Sequence, residues 1–207
     1  MTLTMRATIA VTGGIGSGKS SFCEALSELG AAHISADESA HAALQVGTTA
    51  YAAVAATFAD CVGDAGIDRA LLASRVFESP EARRMLEQIV HPWVREDIRQ
   101  KIAMSPANVV VVEIPLLAET RTRSDAREEF TYVVTVWAPL KVRQLRAVSS
   151  GLTEPDFRGR VAAQADDVDR FAVADLVIPN TRDVGALRHH AVALMARVSA
   201  ESGRSSR

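Results

Sequence analysis

Eight residues near the start of the chain, Gly13-Gly14-Ile15-Gly16-Ser17-Gly18-Lys19-Ser20, constrain the fold more than any other stretch. They satisfy the pattern G-x-x-x-x-G-K-[ST]. Before them lies an apolar, β-branched run, Ala7 to Val11; after them, from Lys19 to Leu29, Phe22, Ala25, Leu26 and Leu29 fall at helical spacing. Glycines let the backbone curl until successive N–H groups converge on one anion. A helix that starts where the curl ends turns its positive dipole end toward the same point. Gly14, Ile15, Gly16, Ser17, Gly18, Lys19 and Ser20 are therefore the expected cradle for a nucleotide's polyphosphate, with Lys19 on the β- and γ-phosphates and the Ser20 hydroxyl on magnesium. The competing explanation is a glycine turn that matches by accident. With Gly at roughly 7% of residues, that would happen in about one chain of this length in a hundred. The loop alone does not separate a kinase from a GTPase or a motor ATPase.

Four more short runs read as strands: Ala31 to Ser35, Val109 to Ile114, Phe130 to Trp137 and Asp175 to Pro179. Strands separated by helical stretches predict a parallel sheet covered on both faces. Asp37 to Ala59 is alanine-rich and helical in character, broken near Gly47, and a helix-turn region continues through Asp68 to Leu72. Ser79-Pro80 opens a long helix whose expected apolar face is Met85, Leu86, Ile89, Val90, Trp93, Val94, Ile98 and Ile102, with a bend at Pro92. Lys141 to Val148 starts another helix, Thr153-Glu154-Pro155-Asp156 has the composition of a helix start, and Asp183 to Val198 is the closing helix. The expected division is a core of residues 6–36, 107–139 and 170–199, a helical insertion at 37–106, a smaller one at 140–169, and a flexible tail at 200–207. Met5 is an alternative start, since Ala7 already begins the first strand.

Composition narrows the classes of function. The chain of 207 residues is 48% apolar and 23% charged with a formal net charge of -2, which fits a globular protein and offers no basic field for nucleic acid. Cys23 and Cys61 have neither metal-ligand spacing nor the density of a disulfide framework. No apolar run reaches the length of a membrane span, so the cytoplasm is the expected location. Asp37 follows the second strand, where it can take a proton from an attacking hydroxyl or simply cap a helix. Glu113 ends the densest strand, where an acid can hold magnesium through water or pair with a nearby base. His91, beside Pro92, reads more readily as structural than as a ligand, and Trp93 and Trp137 as core residues.

Taken in order, these segments resemble the dephospho-CoA kinase family. The matching residues are Thr12 to Ser20, Ala36-Asp37, Gly66-Ile67-Asp68-Arg69, Val76-Phe77, Leu86-Glu87 with His91-Pro92, Pro115 to Glu119, Gln164 and Ala174 to Asn180. The resemblance implies a three-layer α/β sandwich of the P-loop NTPase kind, with a five-stranded parallel sheet, a helical substrate-binding insertion and a lid. It implies transfer of the γ-phosphoryl of ATP, with Mg2+, to the ribose 3′-hydroxyl of dephospho-CoA, with small molecules as partners; the sequence does not report the oligomeric state, and a monomer is the default expectation. Carried over by position, Asp37 resembles the carboxylate that orients the acceptor. Arg69, His91, Pro115 and Leu116 resemble residues of the acceptor pocket, and Asn180 resembles the segment beside the adenine. Two departures are visible: Ser35 stands where the family carries an acid, and Leu145 and Ser149 stand where lid arginines are usual. Arg146 is the expected replacement, with Arg143, Arg158 and Arg160 also near. A kinase for another small alcohol or nucleotide, or a nucleotide-binding regulatory relative with weakened catalysis, are the alternatives.

Overall fold

In the computed structural model, residues 6–181 and 184–204 are described. They begin with β1 (Ala7–Thr12), α1 (Lys19–Glu28), β2 (Ala32–Ser35), α2 (Ala36–Ala43) and α3 (Thr49–Thr57). A 3-10 turn at Ala59–Cys61, β3 (Val62–Gly63), β4 (Gly66–Ile67), α4 (Arg69–Glu78) and α5 (Pro80–Met104) follow. Next come β5 (Val109–Glu113), α6 (Leu117–Thr120), α7 (Arg123–Glu129) and β6 (Tyr132–Trp137). Then α8 (Leu140–Ser149), α9 (Glu154–Ala163), α10 (Asp167–Val173), β7 (Leu176–Pro179) and α11 (Val184–Arg204) complete the order. Their contacts form two compact units, one of the residues up to Ser35 and from Ser105 onward, the other Ala36–Met104.

The first unit carries a five-stranded sheet in the order β2-β5-β1-β6-β7, with every pair parallel. Parallel strands need crossovers that cover both faces, so the central strands must be apolar on both sides. Val110, Val111, Val112, Val133 and Val134 meet that demand and are wholly buried. On one face Ile9, Val11, Val111 and Val134 pack with Phe22, Cys23 and Leu26 of α1 and with Leu187, Ala191 and Leu194 of α11. The register then fixes the site. Val11 pairs with Glu113, Ser35 also pairs with Glu113, and Thr12 pairs with Thr135. The carboxyl ends of β1, β2 and β5 thus share one edge of the sheet, the edge where ligands of such folds bind.

The second unit has its own core of Val54, Phe58, Cys61, Leu72 and Ala82, against which Leu44, Ile67, Val76, Leu86, Ile89 and Val90 pack. Its β3 and β4 form an antiparallel hairpin where helical character alone was expected. The two-residue connection Asp64-Ala65 leads into Gly66 at φ 104°, a left-handed value that glycine adopts without strain. The long helix α5 continues through Pro92 to Met104, so the proline does not end it; the Gln88 carbonyl, four residues back, merely loses its usual N–H donor. Met85, expected on the apolar face, is 40% exposed. Helices α6, α7 and α10 were not foreseen. For α7 the signal was present, because Thr122 and Asp125 form a capping box. The closing helix runs past the expected stop at Val198, through Ser199 to Arg204. Its expected first residue, Asp183, and the end of the expected tail, residues 205–207, lie outside the described residues.

Phe22 is among the largest side chains with no exposure at all. Phe22→Ala should lower the free energy of unfolding by about 3–5 kcal/mol, measured by urea denaturation. A loss below about 1 kcal/mol would remove Phe22 from the set that anchors α1 to the sheet.

Candidate active site

The glycine loop joins β1 to α1 as the sequence predicts. Gly16 and Gly18 hold φ at 73° and 96°, in the left-handed region. Gly18 is the N-cap of α1, with no side-chain cap, and the first turn of the helix contains no acid. A side chain that would ordinarily neutralise a helix start is therefore missing here, and its positive end faces the loop. Close approach matters as much as dihedral angle. A Cβ on Gly14 would lie 1.7 Å from Nη1 of Arg143, one on Gly16 would lie 2.3 Å from the Arg143 carbonyl oxygen, and one on Gly18 would lie 2.2 Å from Nδ2 of Asn180.

Side chains distant in sequence hold the curl. The Ile15 N–H donates to Oε1 of Gln164 at 3.0 Å. Asn180 donates from Nδ2 to the Ser17 carbonyl at 2.8 Å, and its own N–H bonds the Trp137 carbonyl at 2.7 Å. Within the loop, Lys19 Nζ donates to the carbonyls of Gly13 and Gly14 at 2.8 and 3.3 Å. Its ammonium group is thereby held inside the curl.

Ser20 Oγ donates to Oε1 of Glu113 at 2.8 Å, and His33 Nε2 lies 3.4 Å from Oε2 of the same carboxylate. Burial alone would raise the Glu113 pKa. The His33 ring and the Ser20 hydroxyl beside it, with the charge of Lys19, together hold it below the usual carboxylate value. An ionised carboxylate beside a hydroxyl is a hard oxygen donor set, and it suits magnesium.

Of the four candidate arginines, two line the same cleft as the loop. The cleft, about 700 Å³, is bordered by Gly16, Gly18, Lys19, Ser20, Arg146 and Arg160, among others. Arg146 reaches Asn180 Oδ1 from Nη2 at 3.4 Å, and its buried Nη1 has no hydrogen-bond partner among the described residues. Arg158 is turned to solvent and pairs with Glu154 at 3.4 Å. Arg143 is buried behind Gly14 rather than in the cleft. Burial pulls its pKa below the ordinary value; Asp167 opposes that, and Arg170 adds to it. Leu145 is 62% exposed. Nothing local in the sequence marks the packing of Arg143 and Arg170 against the loop, because it depends on how α8 and α10 meet the sheet edge.

The remaining expected residues are distributed as follows. Pro115 follows β5, its carbonyl accepting from Thr12 Oγ1 at 3.4 Å, and exposed Leu116 is the N-cap of α6. In the second unit, Asp37 lies in the first turn of α2, and Arg69 starts α4 and donates to the His41 carbonyl at 3.3 Å. His91 borders a separate hollow on α5 with Arg84, Glu87, Gln88, Pro92 and Arg95.

The family model for dephospho-CoA kinase matches residues 7–185. The dephospho-CoA kinase of Thiobacillus denitrificans is 38% identical over 193 residues, covering 92% of this chain and 94% of that protein. Among solved structures, TT1252 from Thermus thermophilus superposes with a TM-score of 0.80 at 30% identity, over 93% of this chain and 97% of its own. A dephospho-CoA kinase from Campylobacter jejuni gives a TM-score of 0.69 at 26% identity, over 95% of this chain and 99% of its own.

The depressed pKa of Glu113 has a definite sign. Its stabilising effect is complete above the unfolded carboxylate value and disappears as pH falls through the lower, folded value. In nucleotide-free, metal-free protein, Glu113→Gln should cost about 1–2 kcal/mol at neutral pH. The gap from the unaltered protein should close as pH falls through and below the ordinary carboxylate range, read by urea unfolding across pH. A gap that stays constant with pH would contradict the assignment.

Proposed function

The chain belongs to the dephospho-CoA kinase family, and from that premise we propose that it transfers the γ-phosphoryl group of ATP to the ribose 3′-hydroxyl of dephospho-CoA, giving CoA and ADP, the last step of coenzyme A biosynthesis. The observation that carries the reading is the bare, left-handed start of α1 facing Lys19, with Ser20 hydrogen-bonded to Glu113 beside it. Loop amides and Lys19 bind the β- and γ-phosphoryl oxygens and set the terminal phosphorus in line for attack. Ser20 and Glu113 would hold magnesium, which would supply neutralisation of the charge on the phosphoryl oxygens.

Arg146 and Arg160 line the cleft beside the loop. Arg146 is the better placed of the two to stabilise the oxygens of the moving phosphoryl group, since one of its buried N–H groups has no other partner among the described residues. It takes over the task that arginines at positions 145 and 149 perform in the family pattern. Asp37 orients the 3′-hydroxyl and accepts its proton. Arg69, His91, Pro115 and Leu116 bind the acceptor, and Asn180 both supports the loop and borders the adenine. The segment 140–169 excludes water during transfer. No helix among the described residues is long and apolar enough to cross a membrane; the reading places a monomer in the cytoplasm with small molecules as its only partners.

A coupled ADP-release assay tests the proposal, with dephospho-CoA, nucleosides and nucleoside monophosphates as acceptors. ADP should appear with dephospho-CoA alone, and Lys19→Ala should abolish it. Asp37→Asn should keep ATP affinity while cutting turnover by about 10²–10⁴, and Arg146→Ala should cut it by about 10³. Release that is indifferent to the acceptor would overturn the proposal.

A further inference from the structure

Glu113 has a second set of neighbours that the kinase reading does not use. Cys23 Sγ, a His33 ring nitrogen and a Glu113 carboxylate oxygen all lie within 4.8 Å of one another. Cys23 is wholly buried, whereas the His33 side chain is 30% exposed and that of Glu113 12%. The three residues come from α1, β2 and β5, and the β2–β5 register brings the last two together.

From this geometry we infer that Cys23, His33 and Glu113 form a binding site for one thiophilic divalent cation of the zinc class. Four physical points carry it. First, the 3.4 Å between His33 Nε2 and Glu113 Oε2 is long for a hydrogen bond. It matches the separation of about 3.3 Å between nitrogen and oxygen ligands on a tetrahedral ion with bonds near 2.0 Å. Second, thiolate, imidazole and carboxylate are the donor types that zinc and cobalt select, while magnesium and calcium prefer oxygen alone. Third, the charges suit a cation: the Glu113 carboxylate is ionised, and the Cys23 thiol adds a second negative charge as it loses its proton to the metal. Fourth, three protein ligands converge among the described residues, the number that a water completes to four on a tetrahedral ion.

Binding balances simply. The Cys23 thiol releases its proton to solvent as the metal–sulfur bond forms, and the His33 proton moves to Nδ1 so that Nε2 can donate its lone pair. Glu113 coordinates through Oε2, leaving Oε1 on the Ser20 hydroxyl. An ion here would therefore fix the carboxylate that faces the glycine loop. The inference does not depend on the identity of any phosphoryl acceptor.

Cobalt(II) is the probe, added to reduced, nucleotide-free, full-length protein. A thiolate-to-cobalt charge-transfer band in the near ultraviolet should saturate at one equivalent and be displaced by zinc. It should persist in Cys61→Ala, which alters the other buried cysteine, and vanish in Cys23→Ala. His33→Asn, at a partly exposed position, should keep the fold by circular dichroism and weaken binding by roughly tenfold or more. No band in the unaltered protein, a band that survives Cys23→Ala, or undiminished affinity in His33→Asn would each overturn the inference.

Discussion

A left-handed glycine at the head of α1 and a polar side chain pressed against it decide the shape of the loop. At Gly18 the backbone takes φ 96°, and Asn180 would stand 2.2 Å from any Cβ placed there. An L-residue would be strained by its dihedral and would also displace the amide that holds the Ser17 carbonyl. The same backbone turn leaves the helix start without a side-chain cap. One local geometry thus both closes the curl and leaves its positive end available to an anion.

What surrounds the loop then acts as a brace. Gln164 grips the Ile15 N–H, Asn180 grips Ser17, and Arg143 fills the space behind Gly14 and Gly16. Each neutral hydrogen bond contributes only about 0.5–1.5 kcal/mol net. Their larger effect is geometric, because a cradle ordered before binding does not have to be ordered by the ligand. The braces come from α8, the residue after α9 and the residue after β7, so side chains between Arg143 and Asn180 support a loop made by the first twenty residues. Arg146 belongs to the same arrangement through Asn180, which links the cleft's cation to the loop's own scaffold.

Much of this could be read in the sequence. The valine-rich run at 109–112 announced a strand, and a parallel sheet covered on both faces accounts for its continuous apolar residues. The loop announced itself through spacing, and Ser79 and Thr153 marked helix starts that the structure also has: Thr153 accepts from the Asp156 N–H, and Ser79 from that of Ala82. The β3–β4 hairpin was hidden by its alanine-rich surroundings and its two-residue strands, too short to show alternation. Arg143 was legible only as one arginine among four, since nothing local says that a guanidinium will be buried rather than extended to water. Likewise, Cys23, His33 and Glu113 stand ten and eighty residues apart, and only strand pairing unites them.

Isothermal calorimetry with ATP, in the presence and absence of magnesium, bears most directly on the central claim. The account predicts one saturable site per chain whose affinity weakens when the metal is chelated. The absence of binding heat with any nucleoside triphosphate, at any magnesium concentration, would contradict it.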